Sequence, residues 1–152
     1  MKKIAFLILT VCITLFSVRT AQAQTLTELK TLVDAIASEC PTGNGDLDIF
    51  SATIDDNYVV LSFYLTENPK DDSFTIKRLK KDKSFTDLLQ TILTLQFLDN
   101  EETAPLITGC ASNQRGLKYT FRSLKTKKEY TMTTSNEELQ EIVRDFKQAT
   151  EE

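Results

Sequence analysis

The chain has 152 residues, 18 basic against 22 acidic, and neither histidine nor tryptophan. Without histidine there is no serine–histidine or cysteine–histidine nucleophile, no imidazole general base and no imidazole zinc ligand. A net charge of −4 argues against nucleic acid, because cation–phosphate contacts supply most of that affinity.

The first 23 residues are unlike the rest. Met1-Lys2-Lys3 precedes an apolar run from Ile4 to Phe16, and Ala21-Gln22-Ala23 closes the segment. A basic start, a short apolar centre and a small-x-small ending form the pattern of a secretory signal peptide cleaved after Ala23. The run is shorter than the roughly 20 residues of a membrane-spanning helix, so no stable membrane anchor is expected. Val11 before Cys12, with apolar residues continuing past it, does not fit a lipid-attachment site. The expected location is periplasmic or secreted, and the expected mature chain, 24–152, is a single domain. Losing Lys2, Lys3 and Arg19 leaves it with 15 basic and 22 acidic residues, a charge of −7.

The first predicted helix starts at Thr25, whose hydroxyl and Glu28 have capping-box spacing. Leu29, Leu32, Val33 and Ile36 give it one apolar face, and Cys40-Pro41 ends it. Asn44, Asp46, Asp48 and Asp55 approach the spacing of a calcium loop, but Ile49 stands where that loop needs glycine. No metal ligand set is assigned. Strands are predicted at 48–54, 58–65 and 73–79. The clearest alternates Val59, Leu61, Phe63 and Leu65 with Tyr58, Val60, Ser62 and Tyr64.

A second helix follows, capped at Ser84 with Asp87 three residues on. Leu88, Leu89, Ile92, Leu93, Leu95, Phe97 and Leu98 cover most of its circumference, which predicts a central place in the core. Strands are predicted at 106–111, 117–122 and 129–133, then a third helix from the Ser135–Glu138 capping box through Leu139, Ile142, Val143 and Phe146. The order reads α-βββ-α-βββ-α. The predicted class is α+β, an antiparallel sheet with three helices mainly on one face. Sliding the chain by 58 residues places Val59 on Leu117, Leu61 on Tyr119, Phe63 on Phe121 and Ala52 on Cys110, a pattern consistent with a βββα pseudo-repeat.

Two cysteines survive processing. In an oxidising compartment Cys40 and Cys110 are expected to pair, closing a loop of about 70 residues and contributing about 4 kcal/mol in the chain-entropy model. Neither a GxGxxG nor a GxxxxGK[ST] loop occurs, so no nucleotide or other cofactor is expected. The acid pairs Asp55-Asp56, Asp71-Asp72 and Glu101-Glu102 fall in turns or at a helix end, where acids are ordinary turn formers. Basic residues gather at Lys77, Arg78, Lys80, Lys81 and Lys83, and again at Arg115, Lys118, Arg122, Lys125, Lys127 and Lys128.

If Val59, Leu61 and Phe63 face the helices, then Tyr58 and Tyr64 point away from them, as do Lys118 and Arg122 on the matching strand. Tyrosine beside arginine on an open sheet suits protein recognition. The expected function is therefore a non-catalytic protein-interaction or binding module. Tyr58, Tyr64, Lys118, Arg122 and the hairpin around Pro69 are its candidate partner-binding residues. Other readings are an inhibitor inserting the Pro69 hairpin into an extracellular hydrolase, a histidine-free carboxylate hydrolase, and a small-molecule carrier using the apolar second helix.

Overall fold

The computed structural model describes residues 24–41, 47–67 and 74–151. The signal-peptide segment, the Asn44 and Asp46 turn and the Pro69 hairpin tip lie outside them. Among the described residues, nine elements follow in order. They are α1 (Leu26–Ser38), β1 (Leu47–Ile54), β2 (Tyr58–Leu65), α2 (Ile76–Lys81), α3 (Lys83–Asp99), α4 (Ala104–Ser112), β3 (Gly116–Ser123), β4 (Glu129–Thr134) and α5 (Asn136–Thr150).

The first and last helices form as the capping signals predict. In α1, Thr25 Oγ1 accepts from Glu28 N–H at 3.2 Å, while Thr25 N–H donates to Glu28 Oε2 at 2.7 Å. Ser135 and Glu138 repeat the arrangement in α5 at 3.2 and 2.8 Å. Each pair satisfies amides that the first turn leaves free. The predicted apolar face of α1 is the buried one.

Two segments expected to be strands are helices. Thr75 Oγ1 accepts from Arg78 N–H at 3.2 Å to start α2, and Ile76 and Leu79, three residues apart, are both buried. The 106–111 run lies inside α4, whose first turn holds Pro105. Proline fits there because its missing N–H would be unpaired anyway. A short apolar run does not distinguish a buried strand from a buried helix by period alone.

This exchange relocates the core. α4 packs against α1, α3 and α5 and against β3, and Pro105, Leu106, Ile107, Gly109, Cys110 and Ala111 are all buried. With that place occupied, α3 is peripheral rather than central. It buries Thr86, Leu93, Thr94 and Leu98, and exposes Leu88 by 59% and Ile92 by 41%. Its N-cap is Asp82, whose side chain accepts from Phe85 N–H at 3.0 Å, rather than Ser84. Asp87 instead bonds Lys83 one turn away.

The sheet has four strands in the order β1-β2-β3-β4. β1–β2 and β3–β4 are antiparallel hairpins, but β2 and β3 run parallel. The expected all-antiparallel sheet is thus corrected to a mixed one. Three helices separate β2 from β3, and a parallel pair needs such a crossover. The pairing runs from Tyr58 opposite Gly116 to Leu65 opposite Ser123, the same 58-residue offset that relates the two halves of the sequence. The βββα repeat itself is absent, since Ala52 lies in a strand and its counterpart Cys110 in a helix. The similarity reflects two neighbouring strands with matching faces.

Val59, Leu61, Phe63 and Leu65 on β2, and Leu117, Tyr119, Phe121 and Ser123 on β3, turn toward the helices and are buried. Phe63 stacks on Phe121 with centroids 5.3 Å apart, and Phe97 lies parallel to Tyr119 at 6.2 Å. The Tyr119 hydroxyl is satisfied by Thr94 Oγ1 at 3.1 Å. Glu67 locks the end of β2, accepting from Ile76 N–H at 2.9 Å and from the buried Ser123 hydroxyl at 2.7 Å.

Candidate interaction surface on the open sheet face

The alternate residues of the same strands form the opposite face. Tyr58, Val60, Ser62 and Tyr64 are half-buried, as are Lys118, Thr120 and Arg122, while Thr131 and Thr133 on β4 are exposed. Register sets them in rows across the sheet. Asp48, Tyr64, Arg122 and Glu129 make one row; Ser51, Ser62, Thr120 and Thr131 the next; Thr53, Val60, Lys118 and Thr133 a third. The four predicted sheet residues therefore share one surface, at the two ends of a Ser/Thr strip.

Each end is built around a ring. Tyr64 stacks on Phe50 with centroids 4.1 Å apart and planes 21° from parallel. Phe50 reaches this face through a bulge, because Ile49 pairs with Phe63 and Ser51 with Ser62, leaving Phe50 as the extra residue. Arg122 Nε lies 2.9 Å from Glu129 Oε1. That contact is an ion pair by distance, without the alignment of a hydrogen bond. At the other end, Lys118 Nζ sits 4.0 Å from the centroid of the Tyr58 ring, a cation–π contact that fixes both side chains. In the strip between, Thr120 and Thr131 share a hydroxyl hydrogen bond of 2.9 Å.

Tyr58 is positioned from two sides. Asp55 Oδ1 accepts from the N–H groups of Asn57 and Tyr58, both at 2.7 Å, which closes the β1–β2 turn. Those two amides hold the Asp55 carboxyl below its ordinary pKa. Arg115 ties the same turn to the start of β3, donating through Nε to Asp55 C=O at 2.9 Å and through Nη1 to Asn113 C=O at 3.0 Å. Gly116 leaves room for the ring. A Cβ there would lie 2.7 Å from Tyr58 Cε1 and 2.6 Å from Thr134 O.

Phe50, Glu129 and Gly116 escape the sequence reading. A bulge breaks the alternation that would have marked Phe50, and Glu129 joins the site only through the β3–β4 register. Glycine opening a strand is the one local sign of Gly116. Arg115 is engaged in backbone contacts, Arg78 lies 4.0 Å over the Phe85 ring, and Lys125, Lys127 and Lys128 are exposed in the β3–β4 turn. Pro69 lies outside the described residues.

The expected Cys40–Cys110 bridge is not formed; both are free thiols. Cys110 belongs to the buried α4 rather than to a strand, and is wholly inaccessible. Burial pushes its thiol up to about 12. Cys40, just past α1, is half-buried and donates to Ile36 C=O at 3.3 Å. Burial, then the nearby Asp48 charge, raises its pKa as well.

Among the described residues no group of three or more Cys, Asp or Glu is placed to hold a metal ion, and no helix is long and apolar enough to cross a membrane. No protein-family model and no curated protein matches the chain. The crystal structure of a candidate secreted protein from Pseudomonas aeruginosa is similar over 76% of this chain and 98% of that one, with 17% identity and a TM-score of 0.47.

Proposed function

We propose that the chain is exported, loses residues 1–23, and serves as a non-catalytic module that binds a protein through the open face of its sheet. One observation carries this reading. The face turned away from the helices has a small-hydroxyl strip bounded at one end by Tyr64 beside Arg122 in register and at the other by the Tyr58–Lys118 cation–π pair. Tyrosine and arginine dominate the energetics of protein recognition. Here both rings are already held by neighbours, Phe50 on one and Lys118 on the other. Little side-chain entropy is then lost when a partner docks. The leader pattern supports export, and the net-acidic mature chain supports a protein partner over a nucleic acid.

A photo-crosslinking residue at Ser62 tests the surface in intact exporting cells, with the same residue at exposed Asp87 on α3 as control. The reading expects a discrete adduct from position 62 and none from 87. Tyr58→Ala, Tyr64→Ala and Arg122→Ala together should abolish that adduct, and so should Thr120→Lys, which blocks the centre without removing a ring. Equal labelling from both positions, or adducts that survive both variants, would overturn the assignment.

A further inference from the structure

Gln24 immediately precedes the N-cap of α1, and its side chain occupies space opened by a glycine in α4. A Cβ on Gly109 would lie 2.7 Å from Gln24 Oε1 and 3.0 Å from its Cδ. The main-chain carbonyl is well held, accepting from Asn113 Nδ2 at 2.8 Å and more weakly from Ser112 Oγ at 3.4 Å. The side-chain amide is not. In the chain with residues 1–23 attached, both Nε2 and Oε1 are shut off from solvent, and neither has a hydrogen-bond partner. A primary amide buried in this way is destabilising, because its lost contacts with water are not replaced.

Cleavage after Ala23, the processing assumed in the proposed function, makes Gln24 the first residue. Its α-ammonium then stands one residue ahead of Thr25, at the positive end of the α1 dipole, where a cation is disfavoured. The same residue thus carries an orphaned NH2 group and an unfavourably placed charge, and one reaction removes both, leaving Oε1 as a lactam carbonyl.

We propose that the mature protein begins with a pyroglutamyl residue at position 24. The neutral α-amino nitrogen attacks Cδ of its own side chain. The N–Cδ bond forms and the Cδ–Nε2 bond breaks. The proton lost by the amine goes to Nε2, which leaves as ammonia. No oxidant, reductant or second substrate takes part. The product is a neutral five-membered lactam without the orphaned NH2 group, and the carbonyl held by Asn113 is unchanged. A blocked first residue anchored to α4 also leaves aminopeptidases no free amine.

Protein exported under its own leader tests this by intact mass and by sequencing its first peptide in a mass spectrometer. The expected peptide begins at residue 24 and is lighter by one ammonia, about 17 Da. A peptide beginning at Gln24 with a free amine would overturn cyclisation while leaving export and cleavage standing. A different first residue, or intact Met1, would overturn cyclisation and the processing step together. Gln24→Asn, whose shorter side chain closes no five-membered ring, should keep its free amine and unfold about 2 °C lower at low ionic strength. An unchanged midpoint would overturn the stabilising role assigned to ring closure.

Discussion

The Tyr58 ring occupies the space that a side chain on Gly116 would need, with Cε1 only 2.7 Å from where a Cβ would stand. The first residues of two neighbouring strands, β2 and β3, are thereby locked together, and one corner of the open face depends on the fit. Thr134 O closes the site from the backbone side at 2.6 Å, so the ring's swinging away would not relieve the crowding. Gly116→Ala should destabilise the fold by about 1–3 kcal/mol, the usual range for overpacking. Chemical denaturation measures it. Tyr58→Ala combined with Gly116→Ala should recover only part of the loss, because the Thr134 contact persists.

Thr94 and Tyr119 form a buried hydroxyl pair between α3 and the sheet. Thr94→Val leaves the phenol hydroxyl without that partner in the core, at a cost of about 1–3 kcal/mol. Tyr119→Phe should cost less in the Thr94→Val background than in the parent, since the unpaired group is then removed. A double-mutant cycle reads the coupling, and additive losses would contradict the pairing.

The helical side gives a sharper contrast. Leu88, Ile92 and Leu95 are each more than a third exposed, whereas Leu93 on the same helix is buried. Serine at any of the three exposed positions should change stability by about 0.5 kcal/mol or less. Leu93→Ala should cost about 2–5 kcal/mol. Had α3 been the central helix that its composition suggests, all four substitutions would be severe.

Alkaline pH should weaken the fold through two buried groups. Cys110 is raised from 9.0 to about 12 by burial, and Tyr119 is raised as well, again by burial, opposed by its bond to Thr94. Their folded pKa values lie above their unfolded ones, so the unfolded chain releases protons first as pH rises. Stability from these groups is intact below pH 9 and declines between about 9 and 12. Cys110→Ala should flatten that decline even though it costs some packing. In the native state near neutral pH, Cys110 should resist a thiol-alkylating reagent that modifies Cys40 slowly. Unfolded, unreduced protein spanning residues 24–152 should yield two thiol equivalents, one each for Cys40 and Cys110.

How far the sequence can be read varies along the chain, for physical reasons. Capping boxes are local devices completed within four residues, so Thr25–Glu28 and Ser135–Glu138 locate α1 and α5 without tertiary knowledge. The alternation in 58–65 and 117–122 likewise fixes which side chains share a face, because the pleat imposes a period of two. Tyr58, Tyr64, Lys118 and Arg122 were legible together for that reason. Leu106 to Ala111 was not legible, since an element buried on nearly every side has too little polar face to reveal its period. The Ile76–Leu79 pair was too short to settle the matter.

Chemistry without histidine, a leader-like first segment, two amphipathic end helices and two matching strands were determined by the sequence alone. Each depends on composition or on contacts between near neighbours. Tertiary structure alone decided that α4 rather than α3 takes the centre, that β2 and β3 run parallel, and that Phe50 and Glu129 complete the open face. It also left Cys40 and Cys110 unbonded and seated Gln24 against Gly109. These outcomes depend on which apolar segments compete for one buried site and which strand edges meet, and that competition is resolved only when the whole chain packs.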